Sequence, residues 1–229
     1  MSSYLLVHGA WCGGWVWDGV AERLTKAGHR ARVVDQLPSS GTDPAALGDL
    51  TDDAEHVRTM LDAHAEPVVL VGHSYGGMVI TELADHPTVR HSTYVAGFWP
   101  QRGQSVESLR GDAPMPDWAV PRDDGTFEIT RDLELARDSL CPDLDRERAR
   151  ELHARFVLQS PAAFAVPSSA PDRRHPTSYM ITTLEPDTCV PVRAQEAMAA
   201  NADTVVRLSA AHFVQLSRPD ELAEALGRI

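Results

Sequence analysis

Along the chain, short runs of β-branched and apolar residues alternate with stretches whose apolar positions recur every three or four residues. Tyr4 to His8 reads as a short buried strand and leads into the glycine-rich segment Gly9-Ala10-Trp11-Cys12-Gly13-Gly14. Val16, Val20 and Leu24 then share one face of a helix expected from about Trp15 to Ala27, with Gly28 as its stop. Ala31 to Asp35 predicts a second strand and Pro38 to Pro44 a loop. Leu50, Ala54, Val57 and Leu61 form the apolar stripe of a helix from about Ala46 to His64. The acidic run Asp49, Asp52, Asp53 and Glu55 on that helix reads as a solvated face. Val68-Val69-Leu70-Val71 is a third strand, Thr93 to Ala96 a fourth, Ser178 to Thr183 a fifth and Thr204 to Leu208 a sixth. A last helix carries Leu222, Leu226 and Ile229 on one side, with Ser217 expected as its N-cap and Pro219, Asp220 and Glu221 in its first turn.

Strands that alternate with helices predict an α/β fold: six mainly parallel strands with helices on both faces. The alternation breaks between Trp99 and His175. There Pro, Gly and charges crowd Gln101 to Gly125, Thr126 to Ile129 makes at most a short strand, and Asp145 to Ser160 reads as helix. A long insertion between two sheet strands is usually a lid or binding element. The expected division is therefore a core of residues 1–99 and 176–229 with a cap at 100–175. Its apolar side chains include Met115, Trp118, Phe127, Phe156 and Phe164.

Composition narrows the function classes. With 43% hydrophobic and 24% charged residues the chain has the make-up of an ordinary globular protein. Its net charge of −12 disfavours nucleic acid or an anionic membrane as partner and leaves a small neutral molecule easier to accept. No stretch approaches the roughly 18 apolar residues of a membrane span. Cys12, Cys141 and Cys189 form neither a disulfide framework nor a CxxC pattern, and the start of the chain lacks the features of a signal peptide, so a cytoplasmic location is expected. A homodimer is one of the oligomeric states the sequence leaves open.

Chemistry concentrates at Gly72-His73-Ser74-Tyr75-Gly76, a G-x-S-x-G turn between the third strand and the helix begun by Gly77-Met78-Val79-Ile80. Such a turn holds the serine in strained backbone with its hydroxyl exposed at the sheet's end, and its glycines let strand and helix approach closely. A serine hydroxyl needs a base oriented by a carboxylate, and this arrangement requires the order Ser, acid, His. Asp187 follows the fifth strand and His212 the sixth, with Glu185 the rival for the acid; Ala96-Gly97-Phe98-Trp99-Pro100, after the fourth strand, has no carboxylate. In a sheet of order 2-1-3-4-5-6 the first and third strands flank the switch point, so the loops at Gly9-Ala10 and Ser74-Tyr75 meet there. The amides of Tyr75 and of the Gly9-Ala10 loop are the candidates for an oxyanion hole. Sequence signatures for phosphate loops, dinucleotide sites and HExxH metal sites are absent.

Leu5 to Trp17, Gly72 to Gly77, Asp187 with Pro191, and His212 before Arg218-Pro219-Asp220-Glu221-Leu222 together resemble the α/β-hydrolase superfamily. More narrowly, the chain resembles the branch of plant methyl-ester esterases, hydroxynitrile lyases and bacterial pyrethroid-type esterases. The resemblance covers about two thirds of the chain and leaves Trp99 to His175 unmatched. It implies Ser74 as nucleophile, His212 as base, Asp187 as its partner and the Ala10 and Tyr75 amides as the oxyanion hole. It also implies a cap over an apolar pocket and no cofactor or metal. Gly9, Trp11, Trp99, Trp118, Phe127, Phe156 and Phe213 are the expected pocket residues. The function this reading favours is a carboxylesterase for a small, largely apolar ester or lactone, working through an acyl-serine intermediate. A lyase using the same triad is the alternative; lyases of this branch carry Thr where this chain has Gly9 and Lys where it has Phe213. A non-hydrolytic binding protein on the same fold is the third reading.

Overall fold

The computed structural model describes residues 1–229. Its main sheet is built from β1 (Ser3–Val7), β2 (Arg30–Val33), β4 (Val68–His73), β5 (Val89–Val95), β9 (Thr177–Thr182) and β10 (Thr204–Leu208). They lie in the spatial order β10-β9-β5-β4-β1-β2, and every neighbouring pair is parallel. Among the main-sheet strands alone this is the order 2-1-3-4-5-6 expected from the sequence.

Parallel strands with both faces covered read as continuous apolar runs, and β1, β4 and β9 are buried at every position. The edge strands β2 and β10 are largely exposed, which explains their weaker pattern. Helix α1 (Asp18–Lys26) packs with α10 (Pro219–Gly227), α2 (Leu50–Asp62) with α3 (Gly76–Thr81), and α8 (Val192–Ala199) against β9. Helix α2 begins with a capping box: the Asp49 carboxylate accepts from Thr51 N at 2.7 Å and Asp52 N at 3.3 Å, while Asp52 accepts from Asp49 N at 2.9 Å. No helix is long and apolar enough to cross a membrane.

Residues 100–175 hold helices α4 (Val106–Arg110), α5 (Leu133–Leu140), α6 (Arg146–His153) and α7 (Ala162–Ala165), with strands β6 (Ala119–Pro121), β7 (Phe127–Ile129) and β8 (Leu158–Gln159). These strands form a second sheet with β3 (Ser40–Gly41), in the order β3-β8-β7-β6. Because β3 belongs to the segment between β2 and α2, this small sheet fastens the insertion to the core.

Two expectations need correction here. The helix expected over Asp145 to Ser160 ends at His153, because Val157 N donates to Trp11 O at 2.9 Å and β8 pairs with β3, so long-range pairing overrides helical periodicity. Ser217 is not the N-cap of the last helix. It closes the short helix α9 (Val214–Ser217), and Arg218 is the N-cap of α10, with no side-chain bond.

Candidate active site

Strand β4 ends at His73, and Ser74 follows with φ +53, inside the left-handed region that a residue with a side chain enters at a cost of about 1–2 kcal/mol. The turn closes only because its neighbours lack side chains: a Cβ on Gly76 would stand 2.7 Å from His8 O and 2.8 Å from Val7 O. Gly9 faces Ser74 as closely. A Cβ there would meet Ser74 Cβ at 2.9 Å and His73 O at 3.3 Å. The loops after β1 and β4 are therefore packed backbone to backbone, with Val7 in register with Gly72.

Ala10 and Tyr75 are both buried, and neither backbone N–H donates to any protein acceptor. Buried amides are almost always paired, and both of these unpaired ones belong to residues that line the same cavity.

His212 lies in the loop after β10, where Ala211 N donates to Asp143 Oδ2 at 3.0 Å. Its Nδ1–H donates to Asp187 Oδ2 at 2.9 Å, leaving Nε2 for the cavity. Asp187 is held by donors on every side: its Oδ1 accepts from Cys189 N and Val190 N, each at 2.9 Å, and its Oδ2 from Gln195 Nε2 at 3.1 Å. Glu185, the rival, accepts only from Asp187 N at 3.3 Å and does not touch His212. Behind the serine, His73 Nε2–H donates to His212 O at 2.9 Å while its Nδ1 accepts from Gln215 Nε2 at 3.2 Å, which fixes its tautomer. Burial keeps His73 well below the usual histidine range, so it stays neutral beside His212.

Ser74, His212, Ala10 and Tyr75 line one narrow cavity of about 60 Å³. Of the pocket residues expected from the sequence, Gly9, Trp11, Trp118, Phe156 and Phe213 line it, as do Met115 and Phe164 of the insertion. Trp11 meets Trp118 edge-on at 5.3 Å between ring centroids, and Trp118 Nε1 donates to Thr188 Oγ1 at 2.9 Å. Two expectations fail. Trp99 stacks on Tyr94 at 4.5 Å, beneath the Arg173 guanidinium; its neighbour Phe98 lines the cavity instead. Phe127 offers its carbonyl to Trp11 Nε1 at 3.3 Å rather than its ring to the cavity, which Ile129 reaches two residues further along β7.

The sequence reading also missed Val106, Arg110, Leu140, Thr188 and Cys189 in the lining. Cys189 forms, with Asp187 and His212, a group whose ligand atoms lie within 4.8 Å of one another. Two of the three are already bonded to each other, and burial together with the nearby Asp187 charge pushes the Cys189 thiol well up. The sulfur is thus an apolar wall in a hydrogen-bonded Asp–His pair and not an obvious metal ligand.

The sequence profile of the Alpha/beta hydrolase family matches residues 4–225. The chain belongs to this family. Among curated α/β hydrolases it is 38% identical over 123 residues to a carbendazim hydrolyzing esterase of a Nocardioides species, covering 51% of this chain and 50% of that one. It is 35% identical over 124 residues to esterase PIR7B of Oryza sativa subsp. japonica, covering 48% and 46%. The chain thus spans about half the length of the curated relatives it matches. Among solved α/β hydrolases, a pyrethroid hydrolase from Sphingobium faniae JZ-2 superposes with a TM-score of 0.84 at 24% identity, over 99% of this chain and 96% of that one. At that identity the superposition speaks for the fold alone.

Proposed function

We propose that the protein is a serine ester hydrolase for small, largely apolar esters, with Ser74, His212 and Asp187 as its triad and the amides of Ala10 and Tyr75 as its oxyanion hole. The observation that carries this reading is one cavity holding a strained serine, an Asp-bound imidazole and two free buried amides. Esterase relatives on the same fold support it.

In the first half-reaction Ser74 Oγ attacks the ester carbonyl carbon while His212 Nε2 takes the hydroxyl proton. The carbonyl oxygen becomes an oxyanion between Ala10 N–H and Tyr75 N–H. The C–O bond to the alcohol breaks as His212 returns the proton to the leaving oxygen, giving acyl-Ser74. Water then attacks the acyl carbon as His212 Nε2 takes its proton, the bond from that carbon to Ser74 Oγ breaks, and His212 returns the proton to Ser74 Oγ as the acid leaves. Asp187 holds the tautomer with Nδ1–H and stabilises the imidazolium that forms at each step.

The lining chooses the substrate class. It is dominated by Trp11, Trp118, Phe98, Phe156 and Phe164, and about 60 Å³ admits only a small group unless residues 100–175, which we read as a cap, shift. Phe213 stands against the lyase alternative: its ring lies 5.6 Å from the His212 ring, where departing cyanide would need a cation. Three free cysteines suit a reducing cytoplasm.

Fluorophosphonate labelling of the wild type and of Ser74→Ala tests the reading, together with hydrolysis of a short-chain ester panel and cyanide release from mandelonitrile. Labelling and ester turnover that vanish with Ser74 are expected. Cyanide release faster than ester hydrolysis would move the assignment to a lyase, and no turnover of either substrate by a labelled protein would favour a binding role.

A further inference from the structure

Asp53 corrects the sequence reading most sharply. Expected on a solvated face, it is fully buried on α2, where its Oδ2 accepts from Tyr75 Oη at 2.7 Å and its Oδ1 from Ser39 N at 2.8 Å. The contacts run on from there. Ser39 Oγ accepts from Gln159 Nε2 at 3.1 Å, and Gln159 Oε1 accepts from Ser40 Oγ at 2.6 Å and from Trp11 N at 3.1 Å. Gln159 is also fully buried, on β8 of the insertion. Two residues before it, Val157 N donates to Trp11 O at 2.9 Å, so both backbone groups of Trp11 are gripped from the insertion.

The two ends of this chain of contacts are not arbitrary. Trp11, at φ +59, directly follows Ala10; Tyr75 directly follows Ser74, at φ +53. Strained backbone persists only where its surroundings over-determine it. Here both strained points adjoin the two free amides, and one buried polar network runs from Trp11 N to the Tyr75 hydroxyl.

We propose that Asp53 and Gln159 are positioning residues that brace the two halves of the oxyanion hole, Asp53 through Tyr75 and Gln159 through Trp11, and that the insertion is thereby built into the catalytic apparatus. This rests on the ester-hydrolase reading given above. Neither side chain touches substrate. Their effect is to hold the backbone of Ala10 and Tyr75 in place, which matters in the transition state, where charge develops, and little in the ground state.

Tyr75→Phe, Asp53→Ala, Asp53→Asn and Gln159→Met are compared with wild type on a short-chain ester, alongside Ser74→Ala. Each protein is also titrated with a trifluoromethyl ketone, which forms an oxyanion on the serine, and with the product alcohol, which is neutral and has no carbonyl or carboxylate oxygen to place between the two amides. Tyr75→Phe, Asp53→Ala and Gln159→Met should lose about 10- to 100-fold in kcat with KM changed by less than about 3-fold, the scale set by small displacements of preorganised groups. Ketone inhibition should weaken by the same factor and inhibition by the alcohol should not. Asp53→Asn should recover most of kcat, because its amide oxygen still accepts from Ser39 N and its NH2 donates to the Tyr75 hydroxyl. Tyr75→Phe preserves the packing of the ring and so keeps the test open if Asp53→Ala fails to fold. Unchanged kcat and unchanged ketone inhibition in Tyr75→Phe and Gln159→Met would overturn the brace, as would equal losses for ketone and alcohol. If Ser74→Ala hydrolyses the ester at the wild-type rate, it is the nucleophile assignment that falls, and the brace with it.

Discussion

At the scale of single residues, the site depends as much on what is missing as on what is present. Gly9 is not open space beside the serine: an added Cβ would press on Ser74 Cβ at 2.9 Å. Gly9→Ala should therefore push Ser74 out of line and lower kcat by about 10-fold or more, since displacements under 1 Å are felt in kcat. A full-rate Gly9→Ala enzyme would show that the Gly9 loop yields without cost. Asp187→Asn should lower kcat by about four orders of magnitude while KM holds, because the imidazole loses the acceptor that fixes its tautomer. Glu185→Gln should leave kcat within about 3-fold, the change expected of a group that makes no contact with the reacting atoms; steady-state kinetics of the two variants side by side decides between the carboxylates. The order Ser, acid, His made this constellation legible in the sequence. Gln195 and Gln159 were not legible, since a buried amide side chain leaves no periodic trace. Asp53 was legible in principle: three residues after Leu50 and four before Val57, it sits on the apolar stripe of α2, and a carboxylate in such a place signals a buried partner.

At the scale of elements, the strands were placed in order but β5 was read only from Thr93, missing Val89 to Ser92, and connections were read poorly. β10 has the bounds its pattern predicts, and β4 runs into the turn where expected. The errors fall where tertiary contact outweighs local preference: at β8, claimed from a helix by pairing with β3, and around Ser217, taken up by a short helix the pattern did not separate from α10. The close approach of α3 to β1 makes a prediction at this scale. Gly76→Ala would drive a methyl into His8 O and Val7 O, at and just past the end of the central strand β1. Urea denaturation should show a loss of about 2 kcal/mol or more, in the range of overpacked cores. A loss under about 0.5 kcal/mol, the range of ordinary surface substitutions, would mean the helix slides away freely.

At the scale of the whole molecule, buried titratable groups oppose one another in acid. Burial pulls His8 down to about 4, its Nδ1–H donating to Gly9 O at 2.8 Å and its Nε2 accepting from Leu37 N at 3.1 Å. The stability it contributes is present above the unfolded histidine value and lost as pH falls toward about 4. His175 is likewise drawn down to about 4 by burial, and His73 moves the same way. Asp53 runs the other way. Burial pushes it up to about 6 against the opposing bonds from Ser39 and Tyr75, with Asp52 adding repulsion, so the fold binds its proton more tightly than the unfolded chain does. Its contribution is present below the unfolded carboxylate value and lost as pH rises through about 6. The His8 and Asp53 effects are each on the order of 3 kcal/mol and partly cancel between pH 4 and 6. Asp53→Asn should therefore be more stable than wild type at pH 8 and lose stability more steeply on acidification. Urea midpoints at pH 4.5, 6 and 8 measure this, and parallel curves for the two proteins would remove Asp53 from the balance.

The pairing of β3 with β8, and the grip of residues 157 and 159 on Trp11, also bear on how such a chain could be re-engineered or diversify. The segment we read as a cap invites exchange: cut after residue 99, rejoin before residue 176, and graft another in its place to change what is recognised. In this chain such a graft would also remove the acceptor of Trp11 N–H, so a new cover would alter turnover together with selectivity. Chimeras that keep Arg155 to Ser160 with the core should retain rate while changing specificity, whereas exchanges that discard this strip should need compensating changes near Trp11.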